Sequence, residues 1–186
     1  MKNLIENHLQ GHAMALKNLQ NQMSNIESVC IKINDCLENN GKLLICGNGG
    51  SASDAQHISA EFVGRFVKER KGLPSIALNT DTSALTAIGN DYGYENIFSR
   101  QIESLANKED ILIVISTSGN SKNIISAIRA AKNLDCKVIG LLGNDGGEAL
   151  KMIDYAVVVP SEITAHIQEM HILIGHIICG YVDSFH

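Results

Sequence analysis

Apolar residues in the first forty positions recur at three- and four-residue steps: Leu4, Ile5, Leu9, Met14, Leu16, Leu19, Met23, Ile26, Val29, Ile33 and Leu37. That period is helical. Ser24 with Glu27 three positions on fits a capping box, which divides the stretch into two helices near Ser24. The apolar stripes of such a pair suit either another subunit or the chain's own sheet, and the pattern alone does not choose.

After Asn39-Asn40-Gly41 the pattern changes to short apolar runs alternating with helical segments. The runs 42–46, 75–78, 111–116, 137–142 and 155–159 are continuous rather than alternating, as strands buried on both faces are. Helical patterning fills about 52–68, 82–106, 121–134 and 146–152, and a long helix over about 162–185 ends the chain. Strand and helix in turn predict an α/β fold, a five-stranded parallel sheet with helices on both sides. The expected organisation is one domain over 1–186, with a helical pair over 1–40 and an α/β core over 41–186. The charged run Lys68-Glu69-Arg70-Lys71 before Gly72-Leu73-Pro74 reads as a solvated turn.

Composition narrows the function classes. With 186 residues and 45% hydrophobic content, the chain can bury one sizeable core. A formal net charge of -5 gives no field that would gather nucleic acid or an anionic membrane surface, so neither is an expected partner. Five scattered cysteines without a C-x-x-C pair point to reduced, structural thiols and a cytoplasmic setting. The N-terminal residues lack the apolar core of a signal peptide, and no later segment reaches about 18 uncharged apolar residues.

Two loops carry the candidate chemistry. Gly47-Asn48-Gly49-Gly50-Ser51-Ala52 follows the first strand and opens a helix, so backbone N–H groups can point at an anion beside the positive helix end. Ser116-Thr117-Ser118-Gly119-Asn120-Ser121 follows the third strand in the same way, with four hydroxyls where one turn needs one or two. In the doubly wound order 2-1-3-4-5 both loops flank the switch point where open α/β sheets bind ligands. The first loop also satisfies G-x-G-x-x-G/A, but the second strand ends at Asn79 rather than at an acidic residue, which argues against a dinucleotide.

His57 and Glu61 share one helix face, a spacing that suits two metal ligands, a base beside its partner, or an exposed pair. The last helix is apolar round much of its circumference yet carries His166, Gln168, Glu169, His171 and His176. Its polar groups need partners. His171 fits a core histidine and His166 a surface one. Gln168 and His176 are eight residues apart, about 12 Å along a helix and about 80° round it, so one straight helix does not readily aim both at one atom. Asn90 and Asp91 interrupt the helical stretch after the second strand, either as a plain turn or as groups for sugar hydroxyls.

Together, the run from Cys46 to Ser51 with His57 and Glu61, then Gly89-Asn90-Asp91, then Ser116 to Ser121, and finally Ile167-Gln168-Glu169 with His176 closely resemble the phosphoheptose isomerases, which are sugar isomerase (SIS) domain proteins. The resemblance covers the whole chain. It implies a three-layer SIS fold and conversion of sedoheptulose 7-phosphate to D-glycero-D-manno-heptose 7-phosphate, for the heptose of bacterial lipopolysaccharide or capsule. It also implies a cytoplasmic homotetramer with active sites near subunit interfaces and one Zn²⁺ per subunit. By position, Asn48, Gly49, Gly50, Ser51, Asn90, Asp91, Ser116, Thr117, Ser118 and Ser121 match substrate contacts. His57, Glu61, Gln168 and His176 match metal ligands, Glu61 and Gln168 also touching substrate. Glu61 and His176 match the catalytic pair, the first moving a proton between carbons and the second between oxygens. One departure is His166, where family members commonly carry arginine; the charge there then depends on pH. Non-enzymatic relatives that bind the bacterial replication initiator share the loops but not the Glu61 and His176 types, and phosphosugar-sensing regulators come joined to a DNA-binding segment that is not seen here.

Overall fold

The computed structural model describes residues 1–186. Helix α1 spans Lys2–Leu19, and a single 3-10 turn, Gln20–Gln22, leads straight into α2, Met23–Glu38. The division into two helices is as expected, but not the cap. Ser24 lies inside α2, where no side-chain cap forms, and its carbonyl accepts a bond from Ser28 Oγ at 2.9 Å. The 3-10 turn keeps the chain near helical angles, so there is no extended residue from which a serine could cap.

The strands are β1, Leu43–Gly47; β2, Ser75–Ala77; β3, Ile111–Ser116; β4, Lys137–Gly143; and β5, Tyr155–Val159. All pair in parallel in the order β2-β1-β3-β4-β5. Alternate residues of each strand enter different cores. Leu43, Ile45, Ile111, Ile113 and Ile115 join Val29, Ile33, Phe62, Met170 and Ile174 on one face, while Leu44, Cys46, Leu112 and Val114 join Phe98, Ile102, Ile124 and Ile128 on the other. Each such side chain taken from water contributes about 1.5–3 kcal/mol, which is why the strands read as unbroken apolar runs.

The remaining helices are α3, Gly50–Val63; α4, Thr82–Tyr92; α5, Ser99–Leu105; α6, Lys122–Asn133; and α7, Thr164–Asp183. The expected helix over 82–106 is thus two, broken at Gly93, whose φ of 89° no helix tolerates. The expected helix over 146–152 reduces to the 3-10 turn Ala149–Lys151, because Gly146 and Gly147 both take positive φ.

The two helices of the pair differ in burial. Helix α2 buries Ile26, Val29, Cys30, Ile33 and Leu37 on the chain's own sheet, whereas α1 buries only Ala15 and Leu19 and leaves Leu4, Ile5, Leu9, Met14 and Leu16 exposed. All five cysteines are buried and unpaired. Burial raises their thiols, Cys30 and Cys136 to about 11 and Cys36 and Cys179 to about 12.

Candidate active site

Both loops lie at the carboxyl end of the sheet because β1 and β3 are neighbours. Gly49 takes a φ of 57°, and α3 starts at the next residue. Asn79 at the end of β2 pins the loop in both directions, donating to Gly47 O at 2.9 Å and accepting from Gly47 N at 3.3 Å. Asn48 exchanges two amide hydrogen bonds with Asn123 on α6, at 2.9 and 2.8 Å, and accepts a third from Tyr94 Oη. Asn79, Asn123 and Tyr94 went unnoticed in the sequence, since nothing local marks a residue that braces another loop.

In the second loop, two of the four hydroxyls serve the turn itself. Ser116 Oγ accepts from Gly119 N at 3.0 Å, and Ser118 Oγ accepts from Asn120 N at 3.2 Å. Ser121 stands at the N-cap of α6 without making a side-chain cap bond, so its hydroxyl, like that of Thr117, is free for a ligand. A cleft of about 280 Å³ opens between the loops, lined by Asn48, Gly49, Gly50, Ser51, Ile115, Ser116, Thr117, Ser121, Thr164 and Gln168. Convergence of the loops is therefore observed. Thr164, the first residue of α7, is an addition, while Ser118 is outside the lining. Asn90 and Asp91 also stand outside it, exposed at the end of α4 and bonded to each other at 2.7 Å.

Helices α3 and α7 lie side by side and run the same way. Gln168 packs on Gly50, where a methyl would collide with its amide. Lower down, Gly175 faces Ile58 and His176 faces His57. The eight-residue gap on α7 is thus matched by seven on α3, so Gln168 stands at the loop and His176 beside His57. Nε2 of His57 is 3.1 Å from Glu61 Oε1 and 3.3 Å from His176 Nε2. A single imidazole nitrogen cannot donate one proton to both, so one of the two contacts is left without a proton of its own, which a cation between the three groups would relieve. Donor atoms of all three residues lie within 4.8 Å of one another, and two imidazoles with a carboxylate suit zinc. The trio therefore fits a metal ion, with Gln168 two turns away toward the loop.

Phe66 stacks on His176 with ring centroids 5.5 Å apart. Its loop is solvated at Lys68, Glu69 and Lys71, as expected, but the Arg70 side chain is 1% exposed. Arg70 donates to Asp183 Oδ1 at 2.6 Å and to the carbonyls of Phe62 and Glu61 at 2.9 and 3.0 Å. Asp183 Oδ2 also accepts from Val67 N and Lys68 N. Burial alone would raise the Asp183 carboxyl, but these backbone bonds and Arg70 outweigh it and hold it below its ordinary value. The run of charge misled at Arg70 because its partners besides the adjacent Lys71 carbonyl are the carbonyls of Phe62 and Glu61 and the Asp183 carboxylate, which the local pattern does not reveal.

Asp54, one turn ahead of His57, has a buried Oδ2 without a partner, and burial raises its carboxyl to about 6, with His57 opposing. His171 is fully buried, its Nε2 3.1 Å from Leu142 O; burial holds it down at about 4, and its Nδ1 is left without a partner. His166 is not at the surface as expected: it is 2% exposed and lies between α7 and α1.

The SIS domain family model matches residues 9–143. The phosphoheptose isomerase of a Nitratiruptor species is 60% identical over 156 residues, 84% of this chain and 82% of that protein. That of Helicobacter pylori (strain P12) is 55% identical over 182 residues, 97% of this chain and 94% of the relative. The solved structure of a phosphoheptose isomerase from Neisseria gonorrhoeae superposes with a TM-score of 0.93 at 43% identity, covering 98% of both chains. With the sheet order, the two-loop cleft and the His57–Glu61–His176 trio in place, the chain belongs to the phosphoheptose isomerases of the SIS domain family.

Proposed function

We propose that the chain isomerises sedoheptulose 7-phosphate to D-glycero-D-manno-heptose 7-phosphate through a cis-enediol. The observation that carries this is the placing of His57, Glu61 and His176 on the two helices whose first turns line the loop cleft. Backbone N–H groups at the start of α3, with Ser51, Thr117 and Ser121, hold the phosphate. Ser116, Ser118, Asn48, Gly49 and Gly50 shape that cradle, and Asn90 and Asp91 are assigned to sugar hydroxyls, reached from the end of α4. Gln168, against Gly50, is placed to touch either substrate or metal.

Glu61 takes the proton from the carbon beside the ketose carbonyl and returns it to the neighbouring carbon. His176 moves the proton between the two oxygens, its ring held flat by Phe66. His57, Glu61 and His176, with Gln168, would hold one Zn²⁺ per subunit, which supplies polarisation of the carbonyl. A non-enzymatic role in binding the replication initiator is unsupported, since the relatives reported above are named as isomerases.

The whole of 1–186 acts as one domain, because α2 shares a core with the sheet. The exposed apolar face of α1 supports a homotetramer with active sites near its interfaces. Cytoplasmic work toward the heptose of lipopolysaccharide or capsule follows from the substrate; no helix is long and apolar enough to cross a membrane. The test is incubation of zinc-replete protein with sedoheptulose 7-phosphate in deuterated water. Aldose is expected, with deuterium at its second carbon to the extent that the Glu61 carboxyl exchanges with solvent before it returns the proton; no aldose would overturn the substrate, and aldose that carries neither solvent deuterium nor the hydrogen taken from the first carbon would overturn the enediol route.

A further inference from the structure

A second group of ligand-type side chains lies apart from the His57 trio, where α1 crosses the start of α7. His8 and His12 are one turn apart on α1 and share a face, as do His166 and Glu169 on α7. Nδ1 of His12 is 2.7 Å from Glu169 Oε2, and Nδ1 of His166 is 3.1 Å from the same oxygen. The His8 ring meets His166 edge-on with centroids 4.9 Å apart, and donor atoms of His8, His166 and Glu169 lie within 4.8 Å of one another.

Two features separate this group from an ordinary surface ion pair. His166 is 2% exposed, yet Gly11, between the two α1 histidines, leaves its ring room: a methyl there would stand 2.5 Å from Nε2. Helix α1 is thus cleared at one position to seat an imidazole. Second, α1 buries only two of its eighteen residues, so apolar packing gives it little hold on the rest of the chain. Three imidazoles and one carboxylate, drawn in pairs from two helices, are what a bridging ion of the zinc type takes.

We infer that His8, His12, His166 and Glu169 form a second binding site for a divalent transition-metal ion, one that staples α1 to α7. Ligand atoms in a tetrahedral zinc shell lie about 2.0–2.2 Å from the ion, within reach of these donors by side-chain adjustment. Binding requires neutral imidazoles, so the ion is released as pH falls through the histidine range. The site takes no part in the isomerisation proposed above, and its test does not depend on that reading.

Zinc per full-length chain is measured by equilibrium dialysis with elemental analysis at neutral pH, for the wild type and for two double variants. His8→Ala/His12→Ala changes one exposed and one half-buried residue on the α1 face toward α7 and removes the second site; His57→Ala/His176→Ala removes the first. Two equivalents are expected in the wild type and one in each double variant, with none when all four changes are combined. A single wild-type equivalent that survives His57→Ala/His176→Ala and is lost with His8→Ala/His12→Ala upholds the staple and removes zinc from the proposed active site. Loss of all zinc in His57→Ala/His176→Ala, or full retention in His8→Ala/His12→Ala, overturns the second site. Amide exchange over residues 2–19 supplies the other readout: zinc should slow it in the His57→Ala/His176→Ala protein, and unchanged exchange overturns the staple.

Discussion

The roles proposed for Glu61 and His176 rest on chemistry that leaves little mark on packing. Glu61→Gln keeps the shape but not the base, so kcat should fall by about 10²–10⁴-fold with KM little changed, as steady-state kinetics would show. His176→Ala should do the same. His171 is the opposite case, a histidine whose effect is on stability. Its folded-state value of about 4 lies below the ordinary 6.5, so between those values the unfolded chain binds the extra proton. Stability is therefore complete above about pH 6.5 and is lost as pH falls toward 4, by on the order of 3 kcal/mol. Between pH 7 and pH 4.5 the urea midpoint of the wild type should fall further than that of His171→Leu, which lacks the titrating group; parallel loss in both would remove His171 as the cause. Residue types were legible in the sequence at Ser51, His57 and Glu61, because spacing fixes a loop and a helix face, and at Gln168 and His176 through the family resemblance. Partners were not: Asn79, Asn123 and Tyr94 reach the first loop only across the sheet, and the buried setting of His166 depends on Gly11, near the other end of the chain.

The working unit at the scale of elements is the pair α3 and α7, with the two loops that meet at their first turns. Side-by-side packing sets Gln168 against Gly50 and His176 beside His57, so that both face α3 from positions two turns apart on α7. A methyl at position 50 would push the Gln168 amide aside, so Gly50→Ala should raise KM several-fold while leaving the thermal midpoint within a few degrees. At the other end, Asp183 places a carboxylate on the last turn of α7, where the helix dipole disfavours it, and Arg70 compensates. Asp183→Ala leaves that guanidinium buried and unpaired, which should cost about 3–5 kcal/mol in urea unfolding. Because Arg70 also bonds Glu61 O, kcat should drop in the folded fraction as well. The strands were legible to within a residue or so because runs buried on both faces have no polar interruptions. Helix ends were less so: Gly93, Gly146 and Gly147 end or prevent helices through their backbone angles, which composition does not record.

For the whole molecule, the sheet order followed from strand–helix alternation and from the two loops needing one switch point, whereas the fate of α1 could not be read from its stripe. Its outward leucines give a direct test of assembly. Leu4→Glu/Leu9→Glu should shift sedimentation toward smaller species without loss of helix content, and an unchanged sedimentation coefficient would exclude that face from the interface. The buried thiols carry a different consequence. Cys30, Cys36 and Cys179 belong to the core on one face of the sheet, and Cys46 and Cys136 to the core on the other. With every sulfur enclosed and its proton held tightly, an alkylating reagent can reach a cysteine only when the surrounding layer opens. Mass mapping of alkylated peptides over time is then a native clock with a hand on each side of the sheet. Equal rates at all five positions would mean that the two layers open as one event, and unequal rates would show which layer gives way first.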